Sequence, residues 1–208
     1  MCLPAESPPR SPPPGPVPRA REILGLLRSV LFAPEDLALV KGDPGERRKF
    51  LDELLTARSP RFAAVRQDYD RVVRQRSTLL KSAGSAVRRG QGDIRTLDIW
   101  DQHLATSGAE LLAGRLDLLT ALSDPVRSAY QQVSLGRETA GLTYKSTLGE
   151  NLSAEVAQAP GGGRELLQAR LLDATSRMRA TELERGLCLV GPHRDDVAIS
   201  LGSIPAKG

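Results

Sequence analysis

Leu97, Leu104, Leu111 and Leu118 recur at intervals of seven residues, with Trp100, Ser107, Gly114 and Ala121 in the companion position of each interval. Seven residues are close to two helical turns, so a repeat of this kind specifies a helix with an apolar seam. It predicts a helix over about Thr96 to Leu122, with large residues on one edge of the seam and mostly small ones on the other. Such a stripe has to be buried against something. Upstream, Phe62, Val65, Tyr69, Val72, Arg76, Leu79 and Ala83 follow one another in steps of three and four, which is a second helical seam. Ser59-Pro60 supplies its start signal, and Gly84, Gly90 and Gly92 mark the loop between the two helices. Antiparallel packing of the facing seams satisfies both. Trp100 is then expected in the core, and Arg76, standing on the seam itself, as a partly buried ion-pair partner.

Shorter elements frame this pair. Asp43-Pro44-Gly45-Glu46 reads as a helix start, with Asp43 as N-cap, Pro44 at the first helical position and Glu46 reaching back in a capping box. That helix carries Phe50, Leu51, Leu54 and Leu55. Leu142 to Ser146 alternates as a strand does. Arg164 to Glu184 is helical, with Leu167, Leu171, Ala174 and Met178 on one face. Leu187 to Val190 and Val197 to Leu201 read as two strands flanking Gly191-Pro192-His193-Arg194-Asp195-Asp196. Near the start, Arg21 to Leu27 reads as a short helix, Val30 to Phe32 as a strand stopped by Pro34, and Leu37 to Val40 as a second apolar patch. After Asp124-Pro125 the helical pattern weakens. Aromatic residues make up only 3% of the chain against 40% apolar residues overall, so the core rests on Leu, Val and Ala. That usage favours helix over sheet, and the fold class is mainly α with minor β.

Composition narrows the functional classes. No apolar run is long enough to span a membrane as a helix. Cys2 and Cys188 show neither a metal-ligand spacing nor a disulfide framework, which points to a reduced, cytoplasmic setting. Residues 1–20 are rich in proline and lack the apolar middle of a secretory signal, so they are expected to be extended and disordered. The net charge of +4 and sequence pI near 9.4 are compatible with a nucleic-acid partner.

Three stretches, in order and in register, resemble the RecF family. The first is Val30-Leu31-Phe32-Ala33-Pro34-Glu35-Asp36-Leu37, continued by Val40-Lys41-Gly42-Asp43-Pro44 and Arg47-Arg48-Lys49-Phe50-Leu51-Asp52. The second is Tyr69-Asp70, Arg74-Gln75-Arg76 and Leu79-Leu80-Lys81, followed by Leu97-Asp98-Ile99-Trp100-Asp101. The third is Leu189-Val190-Gly191-Pro192-His193-Arg194-Asp195-Asp196. The resemblance covers roughly Ala20 to Gly208. It implies a helical lobe inserted in an ATPase head of the type found in chromosome-maintenance proteins. The head would be incomplete here: 21–42 and 161–208 as partial head, 43–160 as the lobe with a short strand. It also implies recombinational gap repair and the SOS response, binding to gapped, single- and double-stranded DNA, partners of the RecO and RecR type, and an ATP-dependent homodimer using ATP and Mg²⁺. The phosphate-cradling Gly-x-x-x-x-Gly-Lys-Ser/Thr spacing, the family's Ser-Gly signature loop and its metal-holding carboxylate strand do not occur in this sequence. No cofactor, catalytic residue or metal site is therefore expected of the fragment itself.

Two groups of residues carry candidate function. His193, Arg194, Asp195 and Asp196 form a polar cluster that the resemblance places in the head near its nucleotide-binding face; the plain alternative is a tight connection held by Gly191 and Pro192, with solvated charges. His-Arg-Asp also occurs in the protein-kinase catalytic loop, but the position five after Asp195 is Ser200 and no kinase glycine loop accompanies it. The second group is basic. Arg74, Lys81 and Arg88 are seven apart on the helix after Ser59-Pro60, with Arg71 one turn from Arg74, a stripe able to follow DNA phosphates without reading sequence. Arg47 and Arg48 flank a helix N-terminus that favours anions; pairing with Glu35 or Asp36 is the alternative. Two functions remain open: a truncated RecF-like protein with at most DNA or partner binding, or a helical protein-interaction module without DNA-binding activity.

Overall fold

The computed structural model describes residues 37–88, 95–159, 163–202 and 204–206. The expectations for residues 1–20, for Arg21 to Leu27 and for Val30 to Phe32 lie outside them. In chain order the elements are α1 (Ala38–Lys41), α2 (Pro44–Arg58), α3 (Arg61–Arg88), α4 (Arg95–Val133), β1 (Ala140–Lys145), α5 (Leu152–Gln158), α6 (Arg164–Arg185), β2 (Asp196–Leu201) and β3 (Ile204–Pro205).

Helix α2 begins where Pro44 fixes the first helical position, and Asp43 is its extended N-cap. The capping box is not formed: Asp43 makes no side-chain cap bond, and the Glu46 N–H instead reaches the Asp43 carbonyl at 3.1 Å. Ser59-Pro60 breaks α2 from α3. Leu97, Leu104, Leu111 and Leu118 are all buried, as the repeat requires. Trp100 is only half-buried, tilted against His103 at the edge of the bundle, so it is not a core residue. Helix α4 also continues through Pro125 to Val133; past Leu122 its side chains are largely exposed, and the weakened apolar pattern marks loss of burial rather than the end of the helix.

The facing seams do pack antiparallel: Phe62 lies against Gly114, Tyr69 against Gly108, and Arg76 pairs with Asp101, descending α4 as α3 ascends. A third helix completes the bundle. Helix α6 runs antiparallel to α4, with Leu171 at Gly108 and Arg179 at Asp101, and lays Leu183 against Gly84 of α3. Leu167, Leu171 and Ala174 are buried along it. Gly186 ends α6 in left-handed backbone (φ 65°), returning its N–H to the Glu182 carbonyl, the C-terminal cap geometry glycine favours.

The sheet caps one flank in the order β1-β2-β3, both pairings antiparallel, with Tyr144 opposite Val197 and Leu142 opposite Ile199. Thus β2 has partners on both sides. Leu187 to Val190 is not a strand. Its backbone polar groups go to side chains instead of a ladder: the Leu189 N–H donates to Glu182 Oε1 at 2.7 Å, and the Cys188 carbonyl accepts from His193 and Arg194.

A Cβ on Gly84 would sit 2.2 Å from the Leu183 carbonyl oxygen. Gly84→Ala, which in an open helix would stabilise by about 1 kcal/mol, is therefore expected to destabilise by about 1–3 kcal/mol because two backbones must move apart. Denaturant unfolding of the variant reads the sign.

Candidate functional site

The segment from Cys188 to Asp196, which joins α6 to β2, is held by side chains from every long helix except the one it leaves, and by Glu182 of that one. Arg76 of α3 is fully buried. Its Nε donates to Asp101 of α4 at 2.7 Å, its Nη2 to Glu182 of α6 at 2.6 Å, and its Nη1 to the Cys188 Sγ at 3.3 Å. Arg179 of α6 joins the same group through Asp101 and Asp98. The seam position of Arg76 indicated an ion pair; the structure buries it completely.

Arg115 of α4 forks onto Asp52 of α2 at 2.8 and 2.9 Å and donates to the Pro192 carbonyl at 2.6 Å. Arg47 of α2 forks onto Asp196 at 2.7 and 2.9 Å and reaches the carbonyls of Leu39 and Gly42. It is 7% exposed, so its guanidinium is committed inside the protein rather than offered to a phosphate. The carboxylate it meets is Asp196; Glu35 and Asp36 lie outside the described residues. Paired guanidinium hydrogen bonds hold the Asp196 carboxyl below its ordinary range. Arg48 is half-buried and donates to the Asp195 carbonyl at 2.8 Å.

The four consecutive polar residues divide their work. His193 lies between Tyr69 Oη, 2.8 Å from Nδ1, and the Cys188 carbonyl, 3.1 Å from Nε2. A carbonyl only accepts, so Nε2 carries the proton and Tyr69 donates to Nδ1. Burial, with Arg194 and Arg48 nearby, lowers the His193 pKa to about 4. Asp195 is 1% exposed and accepts from the Thr147 N–H at 2.8 Å and the Thr147 and Ser146 hydroxyls; burial raises its pKa. Arg194 alone of the four is exposed, its Nε donating to the Cys188 carbonyl at 3.0 Å. Gly191 has φ 120°, and a Cβ there would meet Tyr69 Oη at 2.5 Å, so neither the backbone nor the space admits a side chain. Only part of the cluster is solvated, and it is not a hairpin between two strands. Among the described residues no group of three or more His, Cys, Asp or Glu is placed to hold a metal.

The basic stripe lies elsewhere, on the outer face of α3. Arg74 and Lys81 are exposed and make no ion pair among the described residues; Arg71, also exposed, pairs with Asp68. Arg66 sits 3.9 Å from Asp70, and Arg61 pairs with Glu110. Arg88 ends the helix, with its side chain outside the described residues.

Asp52, Asp101, Arg115 and Glu182 were not singled out from sequence. The signal was present: Glu182 is four residues beyond Met178 on the apolar face of α6, Asp101 four beyond Leu97, and Arg115 four beyond Leu111. Charged residues of opposite sign on facing seams mark a buried network.

No protein-family model matches the chain. It is similar to the DNA replication and repair protein RecF of Kineococcus radiotolerans, 59% identical over 196 residues, covering 93% of this chain and 50% of that protein. RecF of Streptomyces avermitilis is 54% identical (91% of this chain, 49% of that protein), and RecF of Rhodococcus erythropolis is 51% identical (93% and 50%). The chain thus spans about half the length of the curated relatives it matches. Two solved structures of the recombination mediator protein RecF in the RecFOR pathway, RecF-ATP and RecF-ATPrS, share its fold with TM-scores of 0.77 and 0.79. Each is 24% identical, and they cover 89% and 92% of this chain and 46% and 48% of their own.

Two predictions follow from the buried groups. Arg76→Met leaves the buried Glu182 without its cation and Asp101 with Arg179 alone, and is expected to cost about 3–5 kcal/mol, read by denaturant unfolding. For His193 the folded pKa is depressed, so below about 6.5 the unfolded chain binds a proton that the folded one refuses. Stability should fall as pH drops from about 6.5 toward about 4, by up to about 3 kcal/mol, and His193→Gln should flatten that segment of the profile.

Proposed function

We propose that this chain, similar to RecF across the half of those proteins that it spans, supplies the helical lobe and part of the head of a RecF-like DNA replication and repair protein, gripping DNA through phosphates on the outer face of α3. The observation that carries the reading is the pair Arg74 and Lys81: exposed, seven residues apart on one helix face, and without carboxylate partners among the described residues. Arg88 continues the interval and Arg71 precedes it by one turn. Point charges along a helix contact backbone phosphates irrespective of base sequence, which suits a protein acting on gapped, single- and double-stranded DNA. Arg47 drops out of this contact set because it is engaged with Asp196.

ATP and Mg²⁺, the ATP-dependent homodimer, RecO- and RecR-type partners, the SOS response and a cytoplasmic location belong to the proposal at the level of the whole family. The residues present contain no glycine-rich spacing able to cradle a triphosphate, so the reading gives them no part in such a cradle. The competing reading, a protein-interaction module, draws on the Arg61, Arg66 and Arg71 pairings, which neutralise much of the α3 face.

Titration of the chain with single- and double-stranded oligonucleotides at two salt concentrations separates the two. Affinity is expected to fall with salt, and Arg74→Glu/Lys81→Glu/Arg88→Glu should bind more weakly with a shallower log–log salt slope, by about 0.7–0.9 per lost phosphate contact. Equal binding by this triple variant and the parent chain would exclude the α3 face.

A further inference from the structure

Once the internal pairs at Gly191–Asp196 are assigned, its exposed charge is of one sign. Asp196 gives both carboxylate oxygens to Arg47, and Arg115 gives its fork to Asp52. The Asp195 carboxylate is buried and turned onto Thr147 and Ser146. What remains toward solvent is Arg194, exposed, and Arg48, half-buried. Each is tethered to the same segment by one hydrogen bond to a backbone carbonyl: Arg194 Nε to Cys188 and Arg48 Nη1 to Asp195. Both terminal nitrogens of Arg194 and Nη2 of Arg48 have no partner among the described residues. Arg194 shares the Cys188 carbonyl with His193 Nε2, and Arg48 reaches the Asp195 carbonyl two residues beyond His193, so both are anchored on one connector.

We propose that Arg48 and Arg194 form a phosphate-binding subsite on the connector between α6 and β2, separate from the face of α3. A guanidinium fork matches two phosphate oxygens, and a tethered one loses less freedom on binding than a free side chain. The support beneath it is rigid: Arg115 holds the Pro192 carbonyl, Tyr69 holds His193, and Gly191 leaves no space for a side chain. His193 has both ring nitrogens occupied and serves as a spacer between anchor and surface. The ligand group is a phosphate, carried either by a nucleotide or by the DNA backbone. The subsite stands independently of the stripe on α3.

The chain is titrated separately with ATP, without added metal, and with single-stranded oligothymidylate, comparing it with Arg48→Ala/Arg194→Ala. The double variant is expected to bind at least one probe about tenfold more weakly, the size of one charge-assisted bidentate contact. Loss for ATP alone assigns the phosphate to a nucleotide, and loss for the oligonucleotide assigns it to DNA. Arg74→Glu/Lys81→Glu should leave the ATP arm unchanged, which separates this site from the α3 face. Cys188 O still receives His193 Nε2 in the alanine variant, so the loop is expected to fold. Should it not, Arg48→Lys/Arg194→Lys, which keeps charge and removes the fork, is expected to show a several-fold loss. Parent-like affinity for both probes in the variant that folds, or failure of the parent chain to bind either, overturns the proposal.

Discussion

Three buried arginines, one each from α2, α3 and α4, converge on the segment from Cys188 to Asp196, which is irregular up to the start of β2. Arg47 fixes Asp196, Arg76 fixes Cys188 and the Glu182 that caps Leu189, and Arg115 fixes Pro192. Burying a guanidinium is costly unless every charge is met, and a buried pair is often no more stable than an apolar replacement. Its distinctive consequence is specificity: with each cation matched by a carboxylate from another element, few other packings satisfy them all. Burial acts against the charge of Arg76 and Arg115, yet their carboxylate partners raise their pKa values above the ordinary one, so both stay charged.

The same clasp explains why a segment without secondary structure is ordered. Its donors and acceptors are met by Glu182, Thr147, Tyr69 and Arg115 rather than by a neighbouring strand. Loops positioned by a rigid scaffold are where binding residues concentrate, and here three helices form the scaffold. The α3 face and the connector share a helix: Tyr69 reaches His193 from the inner side, while Arg74 stands on the outer side.

The helices were legible because period is a strong signal. Every leucine of the seven-residue repeat is buried, and the start of α2 at Pro44 and the extent of α6 follow from local chemistry. Two kinds of feature were not. Helix α4 passes through Pro125 because a long helix tolerates one missing N–H near its exposed end, whereas sequence rules treat Pro as a stop. The stretch Leu187 to Val190 has the apolar character of a strand, but its hydrogen bonds are met by side chains distant in sequence. The role of Arg47 was similarly hidden, since Asp196 lies far along the chain and nothing local announces the pair.

The central claim is that side chains, not a sheet, lock the connector. Amide hydrogen exchange of Leu189, Gly191 and Thr147, whose N–H groups donate to Glu182, Thr147 and Asp195 side chains, tests it directly. These three amides should exchange as slowly as those in the middle of α6. Rapid exchange, at the rate of an exposed loop, would contradict it.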